Sequence, residues 1–261
     1  PSPAPISSHV LWYHNMMSFP FVPPAIHRSS FLFLYPESSF LLFSLFSLPL
    51  MLNAQTADEM LHKVTVAIEA GQHGQAVSYF RQAISLNIDR SEMFYWTSID
   101  KSSEISSKLS NELALAYKKN RNYDKAFLFY KELSQKDPDN VDYLEAVAEM
   151  QVCRGQEKDA LRMYENILKL DADNLAANIF LGNYYYLMAE QEKKKLESDY
   201  KKLSSPTKMQ YARYRDGLSK LFATGYEKAR SSLQKVVLRF PSTEAQKTLD
   251  KILRIEKEVN R

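Results

Sequence analysis

A single cysteine, Cys153, excludes an intrachain disulfide and any cysteine-based zinc site. The five histidines, His9, His14, His27, His62 and His73, fall at no metal-ligand spacing. Glycine is scarce, six residues in all, and none builds a phosphate-cradling loop. No serine or cysteine has a base partner at a recognisable spacing. These absences leave an enzyme without residues to stand on, and no cofactor or small-molecule substrate is expected. Beyond residue 54 proline occurs only at 138, 206 and 241, each where a helix should begin or end. No run alternates apolar and polar residues with β-branching, so no sheet is expected. The 34 bases and 31 acids leave a net charge of only +3, too little for the whole chain to bind nucleic acid by charge.

What is present is a register of alanines. Ala76, Ala126, Ala160 and Ala229 open the same pattern. Three residues before stands a ring in three copies (His73, Tyr123, Tyr226) and Glu157 in the other. Four residues after come Phe80, Tyr130, Tyr164 and Leu233, and seven after come Ala83, Leu133, Ile167 and Val236. Ala126 and Ala160 are 34 residues apart, the period of a helix-turn-helix repeat. The other two gaps, 50 and 69, carry insertions of 16 and 35 residues.

The second copy reads "NELALAYKKNRNYDKAFLFYKELSQKDPDN", with Leu113, Ala114 and Tyr117 on a first helix, a turn at Asn122-Tyr123-Asp124, and Pro138 closing the second helix. The third supplies Leu144, Ala148, Gly155, Ala160, Tyr164 and "DADN", and the fourth opens with Leu181, Gly182 and Tyr185. This chain resembles the tetratricopeptide repeat proteins over roughly residues 57 to 261. The resemblance implies an all-α fold, a right-handed α-solenoid of antiparallel helix pairs. Repeats are expected at about 57–90, 107–140, 141–174 and 175–242. Such an array needs a polar terminal cap. Thr243 and Gln246 have capping-box spacing, and Ala245, Leu249, Ile252 and Leu253 form an apolar stripe, which predicts a capping helix at 243–258.

Residues 1–54 differ in kind, with eight of the eleven prolines and only Arg28 and Glu37 charged. From Phe40 the chain reads "FLLFSLFSLPLMLNAQ", the length of a signal-peptide core and short for a membrane span. A leader removed after Ala54 is expected, giving an exported (periplasmic or secreted) chain without a transmembrane helix; the alternative is a cytoplasmic chain starting at Met51.

The first insertion, about 91–106, carries Met93, Phe94, Tyr95 and Trp96, which no single helix face can bury. It reads as a linker folded over the junction of repeats one and two, or as an aromatic anchor for a partner. The second, 190–224, reads as an elongated helical hairpin, with a stop at "SSPT" and a stripe from Tyr211 through Tyr214, Leu218, Phe222 and Tyr226 to Phe240. Pro206 suits the first turn of its returning helix. A degenerate extra repeat is the alternative. From Lys193 to Arg215 eight bases face two acids, among them Lys193, Lys194, Lys195, Lys201, Lys202, Arg213 and Arg215. That excess makes a basic arm able to meet an acidic protein, an anionic lipid surface or nucleic acid, or else an ordinary solvated surface.

The resemblance implies a non-enzymatic scaffold that holds a peptide or protein on its concave face, lined by the first helices. The matching positions include Lys108, Asn111 and Lys118, then Asp142, Glu145 and Glu149, then Ile179, Asn183 and Tyr186. The family's clamp for a chaperone's C-terminal carboxylate would fall on Leu61, Thr65, Glu112, Asp142 and Ala146, which are the wrong residues for it. An RNA- or membrane-surface-binding factor acting through 193–215 is the alternative.

Overall fold

The computed structural model describes residues 56–260. The expected leader, the Met51 start and the cleavage after Ala54 lie outside the described residues. Among the described residues there are eleven α-helices, one π turn and no strand. Three antiparallel pairs come first: α1 (Ala57–Glu69) with α2 (His73–Leu86), α4 (Glu104–Lys119) with α5 (Tyr123–Lys136), and α6 (Val141–Cys153) with α7 (Glu157–Leu170). An inserted helix, α3 (Ile88–Ser98), separates the first two pairs. The fourth pair is built from α8 (Leu175–Lys201) and a return made of α9 (Lys208–Leu221), a π turn (Phe222–Tyr226) and α10 (Glu227–Arg239). Last comes α11 (Thr243–Val259). Each pair packs on the next, which makes a helical solenoid.

The alanine register is the seam of that packing. Ala76, Ala126, Ala160 and Ala229 are all fully buried, as are the facing Ala114 and Ala148 on the first helices. A side chain no larger than a methyl lets two helix backbones approach closely, and larger neighbours fill the wedge to the next pair. Phe80, Tyr130, Tyr164 and Leu233 are those neighbours, and each is buried. In the fourth pair the approach is tighter still. A Cβ on Gly182 would stand 2.7 Å from Leu233 Cγ, so only glycine fits there. Three core clusters run end to end, with Met163 packed against the first two and Tyr185 against the last two.

The turns inside the first three pairs share one construction. Gly71 and Gly155 take φ of 69° and 75°, and their pattern of hydrogen bonds closes the preceding helix: Gln72 N–H to the Ala67 carbonyl and Gln156 N–H to that of Gln151, 2.8 Å each. The second pair makes the same turn with Arg121 at φ 58° and Asn122 N–H bonded to the Tyr117 carbonyl at 2.9 Å. The turn therefore lies before Asn122, which is the N-cap of α5, rather than at Asn122-Tyr123-Asp124.

The fourth pair has Thr224 at the corresponding position, and no turn forms there. Instead α8 runs on for 27 residues, about 40 Å. The chain reverses at 202–207, and Thr207 starts α9 with a full capping box to Gln210. Pro206 stands just outside that cap, not in the first turn, because the Thr207 hydroxyl takes the N-cap. The hairpin, not an extra repeat, is what 190–224 forms. The π turn adds a residue to the ladder beside Gly225, whose ideal Cβ would lie 2.9 Å from the Cβ of Ala189. The expected stripe holds from Leu218 to Val236, whereas its ends, Tyr211 and Phe240, are exposed.

Two expectations shift by a residue or more. The expected linker at 91–106 overlaps the eleven-residue helix α3, which buries Tyr95 and half-buries Phe94 but leaves Met93 and Trp96 exposed. The cap of α11 is Ser242, whose hydroxyl accepts from Ala245 N–H at 3.2 Å, rather than Thr243. That helix buries Ala245, Leu249, Ile252 and Ile255, and Leu253 turns outward because it is one residue off the stripe.

The seam and the turn make opposite predictions in one experiment. Ala160→Leu is expected to lower stability in urea by ~1–3 kcal/mol, since no space exists for three more carbons. Arg121→Gly is expected to raise it by up to ~1 kcal/mol, because the left-handed turn then carries no Cβ. A destabilised Arg121→Gly variant would show that the turn is not what constrains that residue.

Candidate functional site

The six residues expected on the concave face all sit on first helices, but their surroundings differ. Lys118 on α4 reaches across to Glu149 on α6, with Nζ 2.5 Å from Oε2. Glu145, one turn back on α6, accepts from Asn174 Nδ2 at 3.2 Å, just before α8. Arg81 on α2 holds Glu112 on α4 with two bonds, 2.7 and 2.6 Å. These links join each repeat to the next. Asn183 bonds within its own helix, to the Ile179 carbonyl at 2.7 Å, and Asn111 is half-buried. Tyr186 is half-buried, its ring 6.1 Å from that of Tyr226 and packed against the third core cluster. Burial pushes its hydroxyl up to about 12. Lys108 pairs with Glu104 on its own helix at 2.6 Å.

The middle of the face is acidic. Burial holds the Glu145 carboxyl above the usual range; the Asn174 amide opposes this, and the charges of Asp142 and Glu149 add to the rise. Nearby Cys153 is free and half-buried, its thiol pushed up to about 11 mainly by burial and further by Glu149. Such a thiol is a poor nucleophile at neutral pH. At two of the clamp positions, Leu61 is buried and Glu112 is held by Arg81.

The basic arm divides in two. Lys193 Nζ lies 3.5 Å from Glu258 Oε2, and Arg215 donates to the carbonyls of Glu258 and Val259 at 2.8 and 2.5 Å. The last carbonyls of a helix lack partners of their own, and a cation there is favourable. These two bases therefore tie the hairpin to the end of α11, which corrects their assignment to a free arm. Lys202 pairs with Asp199 at 2.9 Å. Lys194, Lys195, Lys201 and Arg213 are exposed.

Sequence reasoning missed several residues that shape these surfaces. Tyr95 of α3 donates to Glu132 on α5 at 2.6 Å, and Lys101 lies 3.2 Å from the Tyr95 ring centroid and 4.8 Å from that of Trp96. Trp96 stacks on Phe129 at 5.5 Å yet stays 52% exposed. An open groove of 410 Å³ between α1 and α3 is lined by Leu61, His62, Arg90, Met93 and Phe94. The four consecutive bulky residues are the signal, but their division between core and surface depends on a helix capped by Asn87, the same residue that ends α2. Among the described residues no group of His, Cys, Asp and Glu could hold a metal ion, and no helix is long and apolar enough to cross a membrane.

These helix pairs, their small-residue seams and their shared turns define a helical-repeat protein. A family model for the tetratricopeptide repeat matches residues 60–87, which span most of the first pair. A crystal structure of a proposed protein-binding protein from Bacteroides ovatus is 85% identical, with a TM-score of 0.75, and the match covers 78% of this chain and all of that one. This chain belongs to the tetratricopeptide repeat family, whose members are generally non-enzymatic scaffolds for protein–protein interaction. Other matches are a repeat protein from Bacteroides fragilis (13% identity, 76% of this chain and 98% of that one, TM-score 0.34) and one from Thermus thermophilus (14%, 76% and 99%, 0.30). No curated protein matches the chain.

The raised Glu145 carboxyl has a pH consequence. A folded-state pKa above the ordinary value near ~4.3 means that the folded chain is most favoured when this group is protonated, and that the benefit fades as pH rises through the raised value. Glu145→Gln keeps an acceptor for Asn174 and removes the charge. It is expected to stabilise the protein at neutral pH by less than ~1 kcal/mol after solvent screening, and by nothing below pH ~4. Urea unfolding at both pH values checks this; an equal effect at the two would detach it from ionisation.

Proposed function

We propose that this chain holds an extended peptide or a partner helix along its first helices, with Asn111, Lys118, Glu145, Glu149 and Asn183 in contact and Tyr186 supporting from the core side. The partner segment is basic. The observation that carries this reading is the gathering of Asp142, Glu145 and Glu149 on α6, where one carboxyl is held protonated more readily than usual by burial, with its neighbours' charges adding to the rise. A lysine or arginine side chain placed there would relieve that repulsion and find acceptors already oriented. Lys118 pairs with Glu149 and its charge also reaches Glu145, but it is one lysine among three carboxyls.

The test is a panel of peptides of equal length and varied charge, measured by fluorescence anisotropy. Basic peptides are expected to bind, and Asp142→Asn with Glu145→Gln is expected to weaken them about ten-fold while leaving the helical content unchanged. Preference for acidic peptides, or indifference of both variants, would remove the face from consideration.

The reading includes export. The uncharged apolar run from Phe40, followed by small and polar residues at Asn53 and Ala54, supports it. Fractionation of cells expressing the gene, with N-terminal sequencing, should find a chain beginning at Gln55 or Thr56 outside the cytoplasm; an intact cytoplasmic chain starting at Met51 would refute it.

A further inference from the structure

The hairpin beyond its anchor on α11 has a composition that neither the solenoid nor the peptide-binding face requires. Its two limbs pack on each other through Leu196 against Gly217, where a Cβ would come within 3.1 Å, and through Tyr200 stacked on Tyr214 at 4.4 Å. Between Lys194 and Arg213 there are six bases and two acids. Only one of those bases, Lys202, has an ion-pair partner within 4 Å among the described residues. Lys194, Lys201 and Lys208 stand exposed with none.

At the same end, large apolar side chains are left in solvent. Met209 is 66% exposed, Tyr211 52% and Leu203 37%, all within or beside the turn that reverses the chain. Single exposed apolar residues need no explanation, but three at the end of one basic hairpin do. The long stems of lysine extend their charge outward while the stems themselves lie against apolar matter.

We propose that the end of this hairpin is a peripheral docking surface for anionic lipid membranes. Leu203, Met209 and Tyr211 enter the headgroup region while Lys201, Lys208 and Arg213 meet lipid phosphates. Charge complementarity selects an anionic partner, and the apolar residues select among anionic partners. A nucleic-acid backbone offers Leu203 and Met209 no apolar medium, whereas the interface of a bilayer does. The mode is surface contact, in keeping with the absence of a membrane-crossing helix among the described residues. It presents the first-helix face to a partner at a fixed distance from the membrane, since the hairpin root is tied to α11 by Lys193 and Arg215.

The test is co-sedimentation of the full chain with vesicles of phosphatidylcholine alone and of phosphatidylcholine containing phosphatidylglycerol, at low and at physiological salt. The readout is the ratio of binding to anionic over neutral vesicles, to which the nearly uncharged first 54 residues contribute little. The ratio should be well above one and fall with salt. Lys201→Ser with Lys208→Ser should lower it about 25-fold, as each base near the surface contributes about five-fold. Met209→Ser with Tyr211→Ser should lower anionic binding about ten-fold while preserving its salt dependence. All four sites are exposed, and circular dichroism verifies that the helices persist. A ratio near one in the unaltered chain overturns the proposal. So does loss with the lysine pair but not with the apolar pair, or binding to single-stranded RNA without any preference for anionic vesicles.

Discussion

Close backbone approach at small residues is the constraint on which the structure depends. Ala114 and Ala148 on first helices face second helices whose own contacts are Ala126 and Ala160, and all four are fully buried. A solenoid repeat cannot bury its apolar face alone, so an error in one crossing displaces every repeat beyond it. Gly182 is the extreme case, where even a methyl would meet Leu233. It stands in the pair that also carries the hairpin.

The seam was legible in the sequence because its period is rigid: a 34-residue spacing of alanines has no explanation in a loop or an isolated helix. The hairpin was legible for the complementary reason. Beyond Gly182, residues 183–203 contain no glycine or proline before "SSPT", and the fourth copy offers Thr224 where the first and third have a turn glycine. Arg121 shows why the second turn was placed late. It takes the same left-handed conformation at φ 58° without the residue type that would signal it, because the surrounding bonds to Tyr117 and Lys118 over-determine the turn.

Tertiary partners were not legible. Nothing local distinguishes Lys193 and Arg215 from Lys194 and Arg213, yet the first two are bound to the end of α11 and the other two are not, since the choice is made by a helix more than forty residues away. Likewise α11 is capped by Ser242 rather than Thr243, and its buried stripe runs on to Ile255 while Leu253 faces solvent, a choice set by the helices it packs on. The α3 helix was read as a linker because its four bulky residues cannot share one face. The structure resolves the conflict by burying one, Tyr95, and stacking another, Trp96, on Phe129 at the surface.

The inter-repeat ion pairs fix the array and tune the face together. Arg81 with Glu112, Lys118 with Glu149, and Arg154 with Asp124 each span about one repeat, so each links neighbouring pairs. Exposed pairs of this kind contribute little to stability singly, and the buried seam does not need them. Their effect on the face is larger. Arg81 pairs with Glu112 and Lys118 with Glu149, which leaves an excess of carboxyls, Asp142, Glu145 and Glu149 around one lysine, near the centre of the first-helix face. The hairpin carries the opposite sign, with six bases and two acids from Lys194 to Arg213. A chain with a net charge of only +3 thus separates its charge along its length. Two surfaces of opposite sign, held rigidly by one solenoid, suit a bridge between two ligands better than a receptor for one.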